Sequence, residues 1–233
     1  MSKTLKPNKV NLNRMNKAEM LWLVNHRCKH GHKYISHFNC FLKENQIEER
    51  IGYLDIEASN LKANFGIVLT WAIKDGQSDW IYYDHLTNND VTKFPETEDK
   101  RILESCVETM RQFDRIVTHY GGDFQYDNPY LRTRCLMMGV NFPTHGEVYH
   151  ADTFGIAKRK LSLSSRRQDI IAEALFKHSV KSRIDSAAWR GAVRGDTKCI
   201  KEVLDHNFRD VIELEKNFLA MKPFVKLTKK SIY

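Results

Sequence analysis

No stretch of the 233-residue sequence approaches the roughly 20 consecutive apolar residues that a helix needs to cross a lipid bilayer. The first residues, MSKTLKPNKV, also lack the hydrophobic region of a secretory signal peptide. Low-complexity segments and internal repeats are missing as well. These absences predict a globular protein of the cytoplasm, with no membrane partner.

Cysteine is scarce, with five residues, an odd number. In a chain without a secretion signal, this count argues against a disulfide framework and favours reduced thiols or metal ligands. Cys106, Cys135 and Cys199 lie in segments of helical spacing, where we expect ordinary core residues. Cys28 and Cys40 differ, because they flank a cluster of histidines in HRCKHGHKYISHFNCF.

This cluster predicts a tetrahedral site for a structural Zn²⁺ ion in the N-terminal segment. Four of five residues would form it: Cys28, His30, His32, His37 and Cys40. The firmest candidates are Cys28, His37 and Cys40, with His30 or His32 as the fourth ligand. A plain His-rich basic loop is the alternative, because the spacing matches no standard zinc-finger consensus. A short segment buries little core, which favours a metal ion as its stabilising element.

Negative charge is sparse overall and concentrated in one region. The net charge of +8 and the pI of about 9.2 favour an anionic partner such as nucleic acid. Residues 1–50 carry a net charge of +6, whereas residues 51–115 carry −5. A negative centre with positive surroundings suits an enzyme that acts on a phosphodiester polyanion, although an unevenly charged solvated surface gives the same counts.

The periodicity of apolar residues predicts three strands, a helix, a strand, a helix, a strand and then helices to near the C-terminus. The predicted strands are GYLDIEA, GIVLTWAI, WIYYDHL, RIVTHY and VYHADT. This order is that of the ribonuclease-H-like α/β fold, a mixed sheet of three antiparallel strands followed by parallel strands, flanked by helices. The expected organisation is a basic zinc module at 1–48, the ribonuclease-H-like domain at 49–222 and a basic tail at 223–233.

The segment IGYLDIEASN places Asp55 and Glu57 one residue apart in an otherwise apolar strand. Alternate residues of a strand point to the same face, so the two carboxylates lie side by side. Like charges at this separation repel each other and lose hydration unless a cation lies between them. The pair therefore predicts a metal site.

Two further acidic motifs follow along the chain. Asp127 precedes a Pro-Tyr-Leu sequence at a predicted helix start, where an isolated Asp is more often a helix N-cap. Asp123 competes with Asp127 for the same role, and the Pro-Tyr-Leu context favours Asp127. His206 and Asp210 are four residues apart on a predicted helix and share one face, as an ordinary surface pair also would.

Together the motifs resemble those of the DEDD superfamily of 3′-to-5′ exonucleases, the DnaQ-like branch of the ribonuclease-H fold. The resemblance is strongest to phage and prophage members and to the proofreading domains of family B polymerases. YLDIEAS matches the first motif, YDNPYLRTR the second and HNFRDV the third. The third motif has the spacing of the tyrosine subfamily but carries a histidine. About residues 50–220 are covered.

The resemblance implies a metal-dependent 3′-to-5′ exonuclease of a bacterium or phage-infected cell, acting on nucleic acid, with DNA favoured over RNA. Two Mg²⁺ or Mn²⁺ ions would be held by Asp55, Glu57, Asp127 and Asp210. His206 would orient or deprotonate the attacking water, as histidine suits proton transfer at neutral pH, or else packs beneath the site. The alternatives are a catalytically inactive nucleic-acid-binding protein and a structure-specific or RNA-directed nuclease on the same fold.

Contacts to nucleic acid are expected from aromatic and basic residues near these motifs. His119 and Tyr120 would line the pocket of the terminal nucleotide, and Tyr120, Phe124 and Tyr126 offer faces for base stacking or else belong to the core. The cations expected to bind phosphates without reading bases are Arg132, Lys158, Arg159, Lys160, Arg166, Arg167 and Lys181. For the basic segment, a solvated helix face is the alternative. Asp152 is expected to be a helix N-cap rather than a fifth metal ligand.

Overall fold

The computed structural model describes residues 5–122, 125–180 and 184–232. The chain forms two compact units, Met1–Arg50 and Ile51–Tyr233. Asp123, Phe124 and Lys181, which the sequence analysis considered for the site, lie outside the described residues.

The N-terminal unit is built from two short helices around a small aromatic core. Helix α1 (Lys17–Asn25) begins with a capping box, in which Asn16 and Glu19 each accept a hydrogen bond from the other's backbone N–H. Helix α2 spans Phe38–Glu44. The buried residues of this core are Leu23, Phe38 and Phe41. The connection between the helices carries the predicted zinc ligands Cys28, His30, His32 and His37, and Cys40 lies in the first turn of α2. The placement of these ligands therefore depends mostly on a loop and on little apolar packing.

The larger unit contains a five-stranded mixed sheet in the order β3-β2-β1-β4-β5. The strands are β1 (Ile51–Ala58), β2 (Val68–Asp75), β3 (Ile81–His85), β4 (Arg115–Thr118) and β5 (Tyr149–Asp152). Strands β1 to β3 pair antiparallel, whereas β1 pairs parallel with β4 and β4 with β5. Parallel neighbours require a crossover connection, and helices supply it here. The predicted mixed sheet, with three antiparallel strands followed by parallel strands, is confirmed.

Helices flank this sheet. They are α3 (Asn88–Lys93), α4 (Lys100–Met110), α5 (Asp127–Met138), α6 (Thr153–Lys160), α7 (Gln168–Phe176), α8 (Ser186–Val193) and α9 (Thr197–Met221). The periodicity analysis did not predict α3, although Thr87 and Asp90 form a capping box at its start. The longest helix, α9, packs across β1 and β2. In the described part of the chain, no helix combines the length and apolarity that crossing a membrane requires.

The main core lies between the sheet and helices α4 and α5. Trp71 of β2 is almost fully buried and donates a hydrogen bond from Nε1 to the carbonyl oxygen of Ile102 on α4. Cys106 and Cys135 are fully buried in this core, and Cys199 packs against it half-buried, as expected for these thiols. This packing holds the sheet on which the acidic residues stand.

The C-terminal segment, expected as a basic tail at residues 223–233, packs onto the edge of the sheet at its described end. Ser231 forms a β-bridge with Tyr149 of β5. The backbone N–H of Ile232 donates to the carbonyl oxygen of Val148, and the Ile232 side chain is fully buried in the main core. These two residues are therefore part of the domain.

Candidate active site

Strand β1 presents Asp55 and Glu57 on one face of the sheet, as its alternation predicts. In the antiparallel pairing with β2, Asp55 lies opposite Ala72 and Glu57 lies opposite Thr70. Paired residues of neighbouring antiparallel strands share a face, so only short side chains flank the two acids on β2. The space above these short side chains is where α9 crosses the sheet.

Helix α9 brings His206 and Asp210 onto the same acids. The Nε2 atom of His206 lies 3.4 Å from Oε1 of Glu57 and 3.6 Å from Oδ2 of Asp210. One ligand atom each from Glu57, His206 and Asp210 lies within 4.8 Å of the other two. Two of the predicted motifs, separated widely in sequence, thus converge in space.

Asp127 is the first residue of α5 and is buried. The helix N-cap is Tyr126, and no side chain caps this helix end. The carboxylate of Asp127 therefore does not serve as the N-cap that its sequence context would also allow. A Cβ atom on Gly121 would lie 2.7 Å from Oδ2 of Asp127, so the Gly-Gly turn before α5 can approach this carboxylate only because it lacks a side chain.

A single pocket of the larger unit is lined by all five predicted catalytic residues. They are Asp55, Glu57, Asp127, His206 and Asp210. The rest of the lining consists of Ile56, Leu61, His119, Tyr120 and Tyr126. Four carboxylates and two imidazoles, those of His206 and His119, thus line a common space whose other residues are apolar or aromatic. Leu61 was not among the predicted site residues, because an exposed leucine in a loop carries no chemical signal of its own.

The pKa of Tyr126 is affected by the negative charge of this pocket. Burial raises the pKa of the Tyr126 phenol, and Tyr130 and the carboxylates of Asp127, Glu57 and Asp55 raise it further. The hydroxyl stays protonated and donates a hydrogen bond of 3.2 Å to the carbonyl oxygen of Asn60. Tyr126 therefore acts as a neutral wall of the pocket.

Asp152 contacts the Gly-Gly turn that precedes α5. Its Oδ1 atom accepts a hydrogen bond from the N–H of Gly155, which confirms the predicted N-cap of α6. Its Oδ2 atom accepts from the N–H groups of Gly121 and Gly122 at 2.9 and 3.0 Å. Burial raises the pKa of the Asp152 carboxyl, while these backbone donors oppose the rise. Asp152 does not line the acid pocket, and its role is to hold the Gly-Gly turn.

A buried amide contacts the first acid of β1. Nδ2 of Asn207, on α9, donates a hydrogen bond of 2.6 Å to Oδ2 of Asp55. Oδ1 of Asn207 accepts a hydrogen bond of 3.2 Å from the hydroxyl of Thr70 on β2. The sequence analysis missed both residues. Asn207 precedes Asp210 by three positions and so shares its helix face, and this spacing was the available signal.

His119 and Tyr120, expected to contact the terminal nucleotide, do line the acid pocket. They also border a neighbouring pocket, together with Phe154, Arg167, Gln168 and Asp169. Tyr120 has a φ of 62°, a left-handed conformation that is uncommon for a residue with a side chain. Its ring packs edge-on against Phe154, with the ring centroids 4.8 Å apart. The strained backbone keeps an exposed aromatic ring beside the acids.

The predicted phosphate-binding cations differ in their surroundings. Lys158, Arg159 and Lys160 are exposed in the last turn of α6. Arg166 and Arg167 are also exposed, and Arg167 forms an ion pair with Asp169. Arg132 is half-buried on α5 and does not line the acid pocket. Exposed cations of this kind remain open to a polyanion.

In the N-terminal unit, Cys28, His30, His37 and Cys40 offer ligand atoms that all lie within 4.8 Å of one another. Nδ1 of His30 is 3.8 Å from Sγ of Cys28 and 3.6 Å from Sγ of Cys40, while Nδ1 of His37 is 4.0 Å from Sγ of Cys40. His32 lies outside this group and stacks on the His37 ring, with centroids 3.9 Å apart. Of the two alternatives for the fourth position, the geometry selects His30.

A family model described as the RNase_H superfamily matches residues 52–218, which is more than half of the chain. The match covers the sheet and all three acidic motifs. No curated protein matches the chain.

Proposed function

Because the chain belongs to the RNase H superfamily, which indicates a hydrolase acting on nucleic acid, we propose that it is a metal-dependent 3′-to-5′ exonuclease. The observation that supports this proposal is the convergence of Asp55, Glu57, Asp127 and Asp210 with His206 in one pocket. Carboxylates from a strand and from two helices repel one another in this pocket, and a bound cation would offset that repulsion.

The donor set fits Mg²⁺ or Mn²⁺, since both are hard cations that prefer oxygen ligands. Asp55, Glu57, Asp127 and Asp210 are the residues that would hold two such ions. When bound, the ions supply Lewis acidity that promotes ionisation of the attacking water and offsets the charge on the leaving 3′ oxygen.

His206 is the residue proposed to orient the water and to accept its proton at Nε2. The atom lies 3.4 Å from Oε1 of Glu57 and 3.6 Å from Oδ2 of Asp210, so it faces the space in which the acids would hold the ions and the attacking water. His206 is buried where α9 packs on β1, and this burial limits the orientations of its imidazole ring.

The substrate we propose is the 3′ end of a nucleic-acid strand, and we favour DNA on the resemblance to proofreading domains. His119 and Tyr120 border the acid pocket where the terminal nucleotide would lie, and an exposed aromatic ring stacks on any base. The exposed cations of α6 and of the following loop would bind backbone phosphates without reading sequence.

For the N-terminal unit, we propose one structural Zn²⁺ ion held by Cys28, His30, His37 and Cys40. A tetrahedral site with Zn–S bonds of about 2.3 Å and Zn–N bonds of about 2.0 Å has sulfur–nitrogen edges of about 3.5 Å. The shortest separation found, 3.6 Å between Cys40 Sγ and His30 Nδ1, is close to this length. Four ligands close the coordination sphere, as in a site that stabilises a fold rather than one that catalyses.

The test is digestion of single-stranded DNA and RNA oligonucleotides of matched sequence, labelled at either end, with Mg²⁺ or Mn²⁺. We expect mononucleotides released from the 3′ end, faster from DNA, and loss of release in Asp55→Asn. The control is Asp79→Asn, at an exposed loop position, which should retain full activity. Internal fragments would indicate an endonuclease on this fold. Binding without any cleavage would indicate a catalytically inactive nucleic-acid-binding protein.

A further inference from the structure

Asn207 is a fully buried asparagine in the middle of α9. Asparagine is a poor helix former, and its amide is costly to bury unless its donors and acceptor are used. Here the amide spans two strands, because it donates to Asp55 on β1 and accepts from Thr70 on β2. An asparagine at this position does not stabilise the helix, so its effect on the protein lies in the groups that its amide contacts.

The two partners of this amide have different effects on its orientation. The carboxylate of Asp55 only accepts hydrogen bonds, so it must face the NH₂ group of Asn207. The Thr70 hydroxyl donates to the amide oxygen on the other side. A flipped amide would set its oxygen against the carboxylate and lose the bond to Asp55, whereas the Thr70 hydroxyl can accept as well as donate and would bond to either end of the amide. Asp55 therefore selects the orientation of the amide, and Thr70 holds the amide in place from the other side.

The bond to Asp55 is 2.6 Å long, which is short for an N–H···O hydrogen bond, and bonds to an ionised carboxylate are shorter than neutral ones. It engages Oδ2 of the carboxylate and so fixes the rotation of this group about its Cβ–Cγ bond. It also ties α9, which carries His206 and Asp210, to β1, which carries Asp55 and Glu57. The position of one acid is thus coupled to that of the others.

We propose that Asn207, held by Thr70, is a positioning residue that sets the orientation in which Asp55 binds a divalent metal ion. This inference rests on the proposed function only in that the acid pocket binds such an ion. Residues that orient metal ligands by hydrogen bonds change metal affinity or activity by about 10- to 100-fold when mutated. Loss of the Asn207 amide should therefore lower the affinity for the metal ion, in addition to any loss of folding stability.

The experiment measures Mn²⁺ binding to the full chain by electron paramagnetic resonance, with Asp55→Asn defining the binding that depends on the acid pocket. We expect Asn207→Ala to weaken Mn²⁺ binding by about 10- to 100-fold. Thr70→Val, which keeps the side-chain shape but removes the hydroxyl, should weaken it several-fold, and Thr70→Ser should restore it.

The matched control is Asn217→Ala. Asn217 is also a fully buried asparagine of α9, but its amide donates to the backbone carbonyl oxygen of Gln168 rather than to a carboxylate. This variant should lower the Tm while leaving Mn²⁺ affinity unchanged. If Asn207→Ala does not fold, Thr70→Val decides the question, because it introduces no cavity.

The positioning role would be overturned if folded Asn207→Ala bound Mn²⁺ as tightly as the wild type. If Asn207→Ala is unfolded, the same result in Thr70→Val would overturn it. It would also be overturned if the wild-type protein bound no more Mn²⁺ than Asp55→Asn. A wild type that binds Mn²⁺ but releases no nucleotides would overturn the exonuclease proposal alone. In that case the binding isotherms of the variants still decide the role of Asn207.

Discussion

Nε2 of His206, on the last helix of the domain, lies 3.4 Å from Oε1 of Glu57, on its first strand. An imidazole beside a carboxylate can gain a proton without leaving an isolated buried charge. We propose that this pairing gives His206 a role in proton transfer that the surrounding acids do not have, because an imidazole suits proton transfer at neutral pH.

Replacing His206 by alanine should therefore lower kcat by about 10²- to 10⁴-fold, the usual contribution of a general base, with KM changed little. Rates of nucleotide release from an end-labelled strand measure the effect. His178→Ala, at an exposed loop position, is the control and should behave as wild type. Full activity in His206→Ala would assign this residue to packing beneath the site.

Asp152→Ala should destabilise the domain more than the loss of an ordinary N-cap. Asp152 accepts hydrogen bonds from three backbone N–H groups, whereas Asp196, the exposed N-cap of α9, accepts one from Cys199. We expect Asp196→Ala to lower the free energy of unfolding by about 1 kcal/mol and Asp152→Ala by about 2–4 kcal/mol. Urea denaturation measures both. Equal losses would mean that the Gly-Gly turn does not depend on Asp152.

Removal of zinc should unfold the N-terminal unit and leave the larger unit folded, since the small unit has little apolar core of its own. The purified chain should contain one Zn²⁺ per molecule. His30→Ala and Cys40→Ser should reduce this content, whereas His32→Ala should keep it, because His32 only stacks on His37. Metal analysis and limited proteolysis provide the measurements. Zinc retained in His30→Ala and lost in His32→Ala would reverse the assignment.

The buried ion pair of Arg134 and Asp99 should matter far more for stability than the exposed pair of Arg167 and Asp169. The guanidinium of Arg134 donates to both oxygens of the fully buried Asp99. Arg134→Met leaves that carboxylate buried without its cation and should cost about 3–5 kcal/mol. Arg167→Met, with the same change of side chain, should cost less than about 1 kcal/mol. Similar Tm values for the two variants would contradict this expectation.

Periodicity alone predicted the five strands and the order of elements along the chain, because alternation and helical spacing are local properties of the chain. The mixed sheet followed from the match of this order to the ribonuclease-H-like fold. Periodicity missed α3, where the capping box of Thr87 and Asp90 starts a six-residue helix too short to show a clear apolar face. It also could not choose between His30 and His32, which follow Cys28 by two and four residues. Either spacing allows a metal ligand, and only the fold of the loop shows which imidazole lies near the cysteines.

The sequence by itself determined which residue types are present for chemistry: paired acids on a strand, an acid at a helix start, and a histidine four residues before another acid. Only the tertiary structure decided which atoms meet. Asn207 reaches Asp55 across 152 residues because α9 lies over β1 and β2 where the short side chains of Ala72 and Thr70 leave room for it. That contact depends on how two distant elements pack, which no local pattern in the chain specifies.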